Sequence, residues 1–126
     1  MNNLIAVALG GALGSMGRFM LGAAINKSST SLIPLGTLSV NVIGSFIIGL
    51  VWIVLESRGG DVQFHRHFLM VGLLGGFTTF SAFSLETIQF VQHSQWLAAV
   101  GNMAANLIAC VVAVAIGIAV GKMITG

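Results

Sequence analysis

Gly72-Leu73-Leu74-Gly75-Gly76-Phe77-Thr78-Thr79-Phe80-Ser81-Ala82-Phe83-Ser84-Leu85-Glu86 lies within an apolar run that extends from about Phe68 to Val91. That run is long enough to cross a bilayer as a helix, which takes about 20 residues. Its centre is nevertheless poor helix material. Two adjacent glycines raise the cost of ordering the backbone, and two adjacent threonines lose χ1 freedom against the preceding turn. Two structures accommodate both facts. In one, the helix breaks near its middle. Carbonyls freed there find no donors in lipid, so such a break survives only inside protein or beside an ion, and carbonyls aimed at one point make a cation site. In the other, the helix continues and its glycines allow a neighbour to pack closely.

Working outward, three further apolar runs flank this one, giving spans at about 4–25, 34–55, 68–91 and 96–120. Arg18 and several glycines interrupt the first span, and Asn26-Lys27-Ser28-Ser29-Thr30-Ser31 closes it. The second begins at Pro34, the only proline, which suits a first helical turn because its missing N–H costs nothing there. A polar loop runs from Glu56 through His67, and Gln92-His93-Ser94-Gln95 forms a tight turn. Charged residues make up only 6% of the 126, and mean hydropathy is +1.02. A soluble domain is about a quarter charged. The chain therefore reads as an all-α membrane protein with four transmembrane helices in a single domain, 1–126. Four spans use most of its length and enclose little space, so an oligomer is expected.

Several classes are excluded. A net charge of +2 gives no case for nucleic acid, and a single cysteine, Cys110, forms no internal disulfide. The first apolar stretch lacks the basic lead of a cleavable signal and reads as a mature helix. His65, Arg66 and His67 fall in the expected loop without metal-ligand spacing. No nucleophile motif, phosphate loop or Cys/His cluster is present, so no enzyme is expected. Outside the spans, Arg58, Arg66 and Lys122 fall on one side and Lys27, with Arg18 near it, on the other. Three against two leaves orientation nearly undirected. Either one weak preference decides it, or copies insert both ways and pair antiparallel.

The helix faces carry the remaining signals. The fourth span has small residues at Gly101, Ala105, Ala109, Ala113, Gly117 and Gly121, a spacing of four that lets another helix approach closely. One position on stand Asn102, Asn106, Cys110 and Val114, and the second span carries Thr37, Asn41, Ser45 and Gly49. Polar stripes like these either hydrogen-bond between helices or line a pore; both place them inside the bundle. Phe80, Phe83 and Glu86 share a broad face of the third span. The phenylalanines are packing residues, or they turn their positive ring edges toward an anion. Glu86 either snorkels to the interface or serves as an ion relay, and Arg18 either snorkels or supplies fixed positive charge to a vestibule.

Three motifs resemble the Fluc-type fluoride channels, also called the CrcB family. They are Gly14-Ser15-Met16-Gly17-Arg18-Phe19, the stretch Gly36-Thr37-Leu38-Ser39-Val40-Asn41-Val42-Ile43-Gly44-Ser45-Phe46, and the run from Gly75 to Glu86. The resemblance covers nearly the whole chain. It implies an antiparallel, dual-topology homodimer in the bacterial cytoplasmic (inner) membrane, with two fluoride pores built from both subunits. It implies a structural sodium ion at the dimer centre, held by backbone carbonyls that fall here at Gly75 and Thr78. It assigns Phe80 and Phe83 to the paired pore phenylalanines and Asn41 to the asparagine that donates to fluoride. Glu86 corresponds to the acidic residue that follows, Arg18 to the vestibule arginine, and Ser81 and Asn106 to the pathway between. The fourth helix departs from the family's hydroxyl track. Cys110 is a weak donor and Val114 none, so a hydroxyl-dependent role does not carry over, although Asn102 and Asn106 remain able to line the path.

The implied function is passive export of cytoplasmic fluoride, which protects the cell from its toxicity. Two other functions compete. A small proton-coupled multidrug exporter of dual topology needs an acidic residue deep in its first helix, where this chain has Arg18. A non-transporting membrane assembly subunit would explain the small-residue stripe but not the Gly-Gly-Phe-Thr-Thr-Phe run beside a glutamate.

Overall fold

A computed structural model describes residues 2–126. Four helices make up almost all of it: α1 (Asn2–Ser28), α2 (Leu35–Arg58), α3 (Gln63–Gln92) and α4 (Trp96–Thr125). All four are long and apolar enough to cross a membrane. At 1.5 Å per residue they are roughly 36–45 Å long, more than the ~30 Å of hydrocarbon, so their ends stand among headgroups.

That excess length shortens the connections. The expected loop from Glu56 to His67 is mostly helix. α2 continues through Glu56 and Arg58 and stops only at Gly59 and Gly60, whose φ values of 62° and 76° suit residues without a Cβ. Asp61 then accepts a hydrogen bond from the Gln63 N–H at 3.1 Å, and α3 begins. His65, Arg66 and His67 lie in its first turns, not in a loop, and the His67 ring nitrogen sits 2.7 Å from the Gln63 carbonyl. At the other end of α3, Ser94 adopts a left-handed φ of 57°. The Gln95 N–H reaches the Phe90 carbonyl and the Ser94 N–H that of Val91, the two bonds of a Schellman closure.

Pro34 opens α2, its carbonyl accepting from the Leu38 N–H, but its side chain caps nothing. The cap comes from α1: Asn26 Oδ1 accepts from the Gly36 N–H at 2.8 Å. We expect Asn26→Ala to cost about 1 kcal/mol, the ordinary value of a polar cap, read as a lower thermal midpoint in detergent.

Two glycine seams hold the helices together. Between α1 and the first half of α3, Gly10 and Gly14 meet Gly72 and Gly76; a Cβ on Gly14 would collide with the Leu73 carbonyl, and one on Gly76 would lie 2.7 Å from the Gly11 carbonyl. Between α2 and α4, Gly49 lies against the backbone at Val114 and Gly117 against that at Phe46. The lower part of the small-residue stripe on α4 (Ala113, Gly117 and Gly121) is therefore buried by α2 of its own chain. The sequence alone left its partner open, and the structure assigns it within the subunit.

α3 is irregular. Residues Arg66–Leu74 wind as a π-helix, and helical backbone then lapses at Thr78 (φ −86°, ψ 158°) and Thr79 (φ −150°, ψ 112°) before resuming at Phe80. The interruption is confined to those two residues, and the axis of the third span bends by only 18°.

Candidate functional site

Thr37, Asn41 and Ser45 recur every four residues on the α2 face that meets the α3 interruption. Asn41 is buried there and fully committed. Its Nδ2 donates to the Thr79 carbonyl at 3.0 Å and to Asn106 Oδ1 at 3.2 Å, and its Oδ1 accepts from the Thr79 N–H at 2.7 Å. One side chain thus replaces the acceptor that the Thr79 N–H would find in a continuous helix and adds a donor to the carbonyl with which Thr79 opens the resumed helix.

The lapse leaves the carbonyls of Gly75, Gly76, Phe77 and Thr78 without their helical donors. The Thr79 N–H would ordinarily bond the carbonyl of Gly75 and now bonds Asn41 instead. The Ala82 N–H would ordinarily bond the carbonyl of Thr78 and now bonds Thr79 Oγ1, which caps the resumed helix at 3.2 Å. Arg18 takes up one of the released oxygens, its Nη1 donating to the Thr78 carbonyl at 3.3 Å. The guanidinium therefore turns inward to α3 and does not reach for the membrane surface. Backbone oxygens of this kind are hard donors suited to a small cation. Each has a second lone pair, so the Arg18 contact leaves the Thr78 carbonyl a position for another ligand.

Glu86, two turns along α3, accepts a hydrogen bond from the Thr37 hydroxyl through Oε1, while its Oε2 is buried with no partner among the described residues. Phe80 and Phe83 form an edge-on pair with ring centroids 5.2 Å apart. Phe80 is 78% exposed, so much of its ring projects out of the four-helix unit.

Two cavities share Thr79, at the interruption, as a wall. One, of 650 Å³, holds Arg18, Asn26, Thr37, Thr79 and Ser81. The other, of 640 Å³, is more apolar and is lined by Asn41, Thr78, Phe80, Phe83, Asn106 and Cys110, with Gly75 also on its wall. Of the residues singled out from the sequence, Arg18 and Ser81 line the first; Asn41, Gly75, Thr78, Phe80, Phe83 and Asn106 line the second; Glu86 lies beside Thr37 at the edge of the first. Val114 packs against α2 and lines neither. Asn102 also lines neither and is fully buried.

Sequence reasoning missed Thr79 as the partner of Asn41, and Thr87, which accepts from Asn102 Nδ2 at 3.0 Å. The adjacent threonines signalled the first only as poor helix formers. Nothing in the sequence marked Thr87. Among the described residues no cluster of three His, Cys, Asp or Glu side chains stands together.

Comparison with known proteins gives a consistent answer. The family described as "CrcB-like protein, Camphor Resistance (CrcB)" matches residues 5–118. A protein named fluoride-specific ion channel FluC from Opitutus terrae is 45% identical over 119 residues, covering 93% of this chain and 90% of the relative. Its namesake from Magnetococcus marinus is 42% identical over 118 residues, covering 94% and 96%. A third, from a Sulfurovum species, is 43% identical over 123 residues, covering 98% and 96%.

Proposed function

The chain belongs to the CrcB-like family, and from that premise we propose that it is a fluoride-selective channel through which cytoplasmic fluoride leaves the cell passively. The observation that carries this is a pair of cavities that share Thr79 as a wall, with Arg18 and Ser81 on one side and Asn41 beside Phe80 and Phe83 on the other.

Fluoride is small and strongly hydrated, so a pore must replace its water with donors and positive edges while leaving each contact weak enough to release. Arg18 draws the anion into the first cavity, where the Ser81 hydroxyl can donate to it. At Asn41 both N–H groups are already engaged, so fluoride competes with Asn106 for the longer of the two bonds, 3.2 Å against 3.0 Å to Thr79. Beyond it, Phe80 and Phe83 offer ring edges, whose partial positive charge attracts an anion without a fixed counter-charge. Glu86 and Thr37, held together, stand at the margin of this route.

In the same reading the working unit is an antiparallel homodimer of dual topology in the bacterial inner membrane. The exposure of Phe80 beside a cavity that Asn41 and Asn106 also line supports it, because a second subunit would turn that face into a pore wall. The interruption of α3 then lies at the dimer centre, and the Gly75 and Thr78 carbonyls of each subunit would hold a structural sodium ion, which supplies the positive charge that fixes two facing interruptions. The donor set fits such an ion, since both oxygens are free of the helical ladder.

The test is fluoride efflux from liposomes that contain only this protein, with a potassium ionophore carrying the balancing charge. We expect rapid fluoride release and little chloride release. Phe80→Ile should lower fluoride flux about tenfold, since loss of a ring-edge contact near 1.4 kcal/mol corresponds to a factor of ten. No fluoride flux from monodisperse protein overturns the assignment.

A further inference from the structure

Asn102 lines neither cavity, yet we infer that with Thr87 it steadies, through Asn106, the amide that Asn41 turns to Thr79, and so serves as a positioning residue for ion passage. The inference rests on the fluoride-channel reading for its function and on a hydrogen-bonded chain for its geometry.

The chain has one sense only. The Thr87 hydroxyl donates to the Phe83 carbonyl at 2.8 Å, so toward Asn102 its oxygen can only accept. Asn102 must therefore turn its Nδ2 to Thr87, at 3.0 Å, and its Oδ1 the other way. That Oδ1 accepts from Asn106 Nδ2 at 3.2 Å, and the Asn102 backbone carbonyl accepts from the same Nδ2 at 3.0 Å; together they oblige Asn106 to present its own Oδ1 to Asn41. Asn41 in turn presents Nδ2 to Asn106 and keeps Oδ1 for the Thr79 N–H. A reversed amide anywhere along the chain would set N–H₂ against N–H₂ or oxygen against oxygen at about 3 Å. In a buried network that costs the desolvation of both groups. The Thr87 hydroxyl thus fixes the polarity of Asn102, the Asn102 carbonyl groups fix that of Asn106, and the Thr79 backbone agrees with the sense in which Asn41 meets Asn106, so the chain runs without conflict from α3 through α4 and α2 back to α3.

The consequence is positional as well. The chain ties α3 at Thr79 through Asn41 and at Phe83–Thr87 through Asn102, and Phe80 and Ser81 lie between the two ties. Loosening the chain lets the pathway residues and the donors of Asn41 turn together.

Two variants of Thr87 separate this role from packing. Valine keeps the shape and loses the hydroxyl; serine keeps the hydroxyl and loses a methyl. We expect Thr87→Ser to pass fluoride from liposomes at close to the wild-type rate. Thr87→Val and Asn102→Leu should each be slower by roughly tenfold, with unchanged circular dichroism and elution. The double variant should be no slower than the worse single one, because both changes act on one chain. Hydrogen exchange over residues 78–83 should quicken in Thr87→Val and not in Thr87→Ser.

Wild-type flux in Thr87→Val, equal losses in both Thr87 variants, or greater loss in Thr87→Ser overturns the proposal. Failure of Thr87→Val to fold where Thr87→Ser folds also overturns it, since the chain would then only hold the bundle together. If Asn102→Leu does not fold, the Thr87 pair decides alone. If the wild-type protein passes no fluoride, the channel reading falls, and the exchange measurement still decides whether the chain steadies Asn41.

Discussion

Asn41→Asp is expected to lower fluoride flux by roughly a hundredfold while the protein still elutes as a single species. The substitution is close to isosteric, so packing changes little, but it removes both N–H donors. Asn41 now spends one on the Thr79 carbonyl and the other on Asn106 Oδ1. An ionised aspartate would set an oxygen against each of these oxygens at about 3 Å and place negative charge in the path of an anion. A protonated one could satisfy only one of them. A hydrogen bond to a charged group is worth about 1.5–3 kcal/mol, and losing two donors to the passing anion, at about 1.4 kcal/mol per decade, makes the hundredfold figure. The Thr79 N–H keeps an oxygen to bond, so the backbone at the interruption retains one of its two ties and the fold survives. Efflux from liposomes, matched for incorporated protein, measures the effect. Unchanged flux would remove Asn41 from the pathway.

The contrast between what the sequence disclosed and what it withheld has a physical basis. Span number is legible because crossing a bilayer requires a run of apolar residues whatever the neighbours are. Asn41, Asn102 and Asn106 could be placed inside the bundle for the same reason, since lipid does not tolerate unpartnered amides. Which group each amide bonds was not legible. The exchange between Asn41 and Thr79 replaces a helical bond across 38 residues of chain, and it exists only once α2 and α3 are packed. Helix ends were misjudged where polarity was taken for a loop: Glu56, Arg58 and His65–His67 are polar because they lie among headgroups, and helices continue through them. The stripe on α4 showed a close approach but not by whom, because a small residue carries no address. The spacing Gly10-Gly14 against Gly72-Gly76 was present in the sequence as a pair of small-residue repeats, and it is the seam that sets α1 on α3.

That seam yields the second large effect. Gly14→Ala is expected to destabilise the protein by about 3 kcal/mol, at the upper end of overpacking costs. The added Cβ would meet the Leu73 carbonyl and lie 2.9 Å from the Phe77 nitrogen, and backbone cannot move aside as a side chain can. For a domain of this size the thermal midpoint in detergent should fall on the order of 10 °C. Gly22→Ala is the control, for a Cβ there meets nothing within 4 Å, and replacing glycine in a helix should if anything add up to about 1 kcal/mol. Equal midpoints for the two variants would show that the seam yields without cost. The functional consequence follows from helical spacing. Arg18 stands one turn beyond Gly14, and Thr78 follows the Leu73–Phe77 turn on which Gly14 rests. Raising α1 off α3 at Gly14 must therefore lift the guanidinium from the Thr78 carbonyl. Any Gly14→Ala protein that survives purification should carry less fluoride than its amount predicts. A close-packed glycine thereby acts on the same interruption that Asn41 holds from the opposite side.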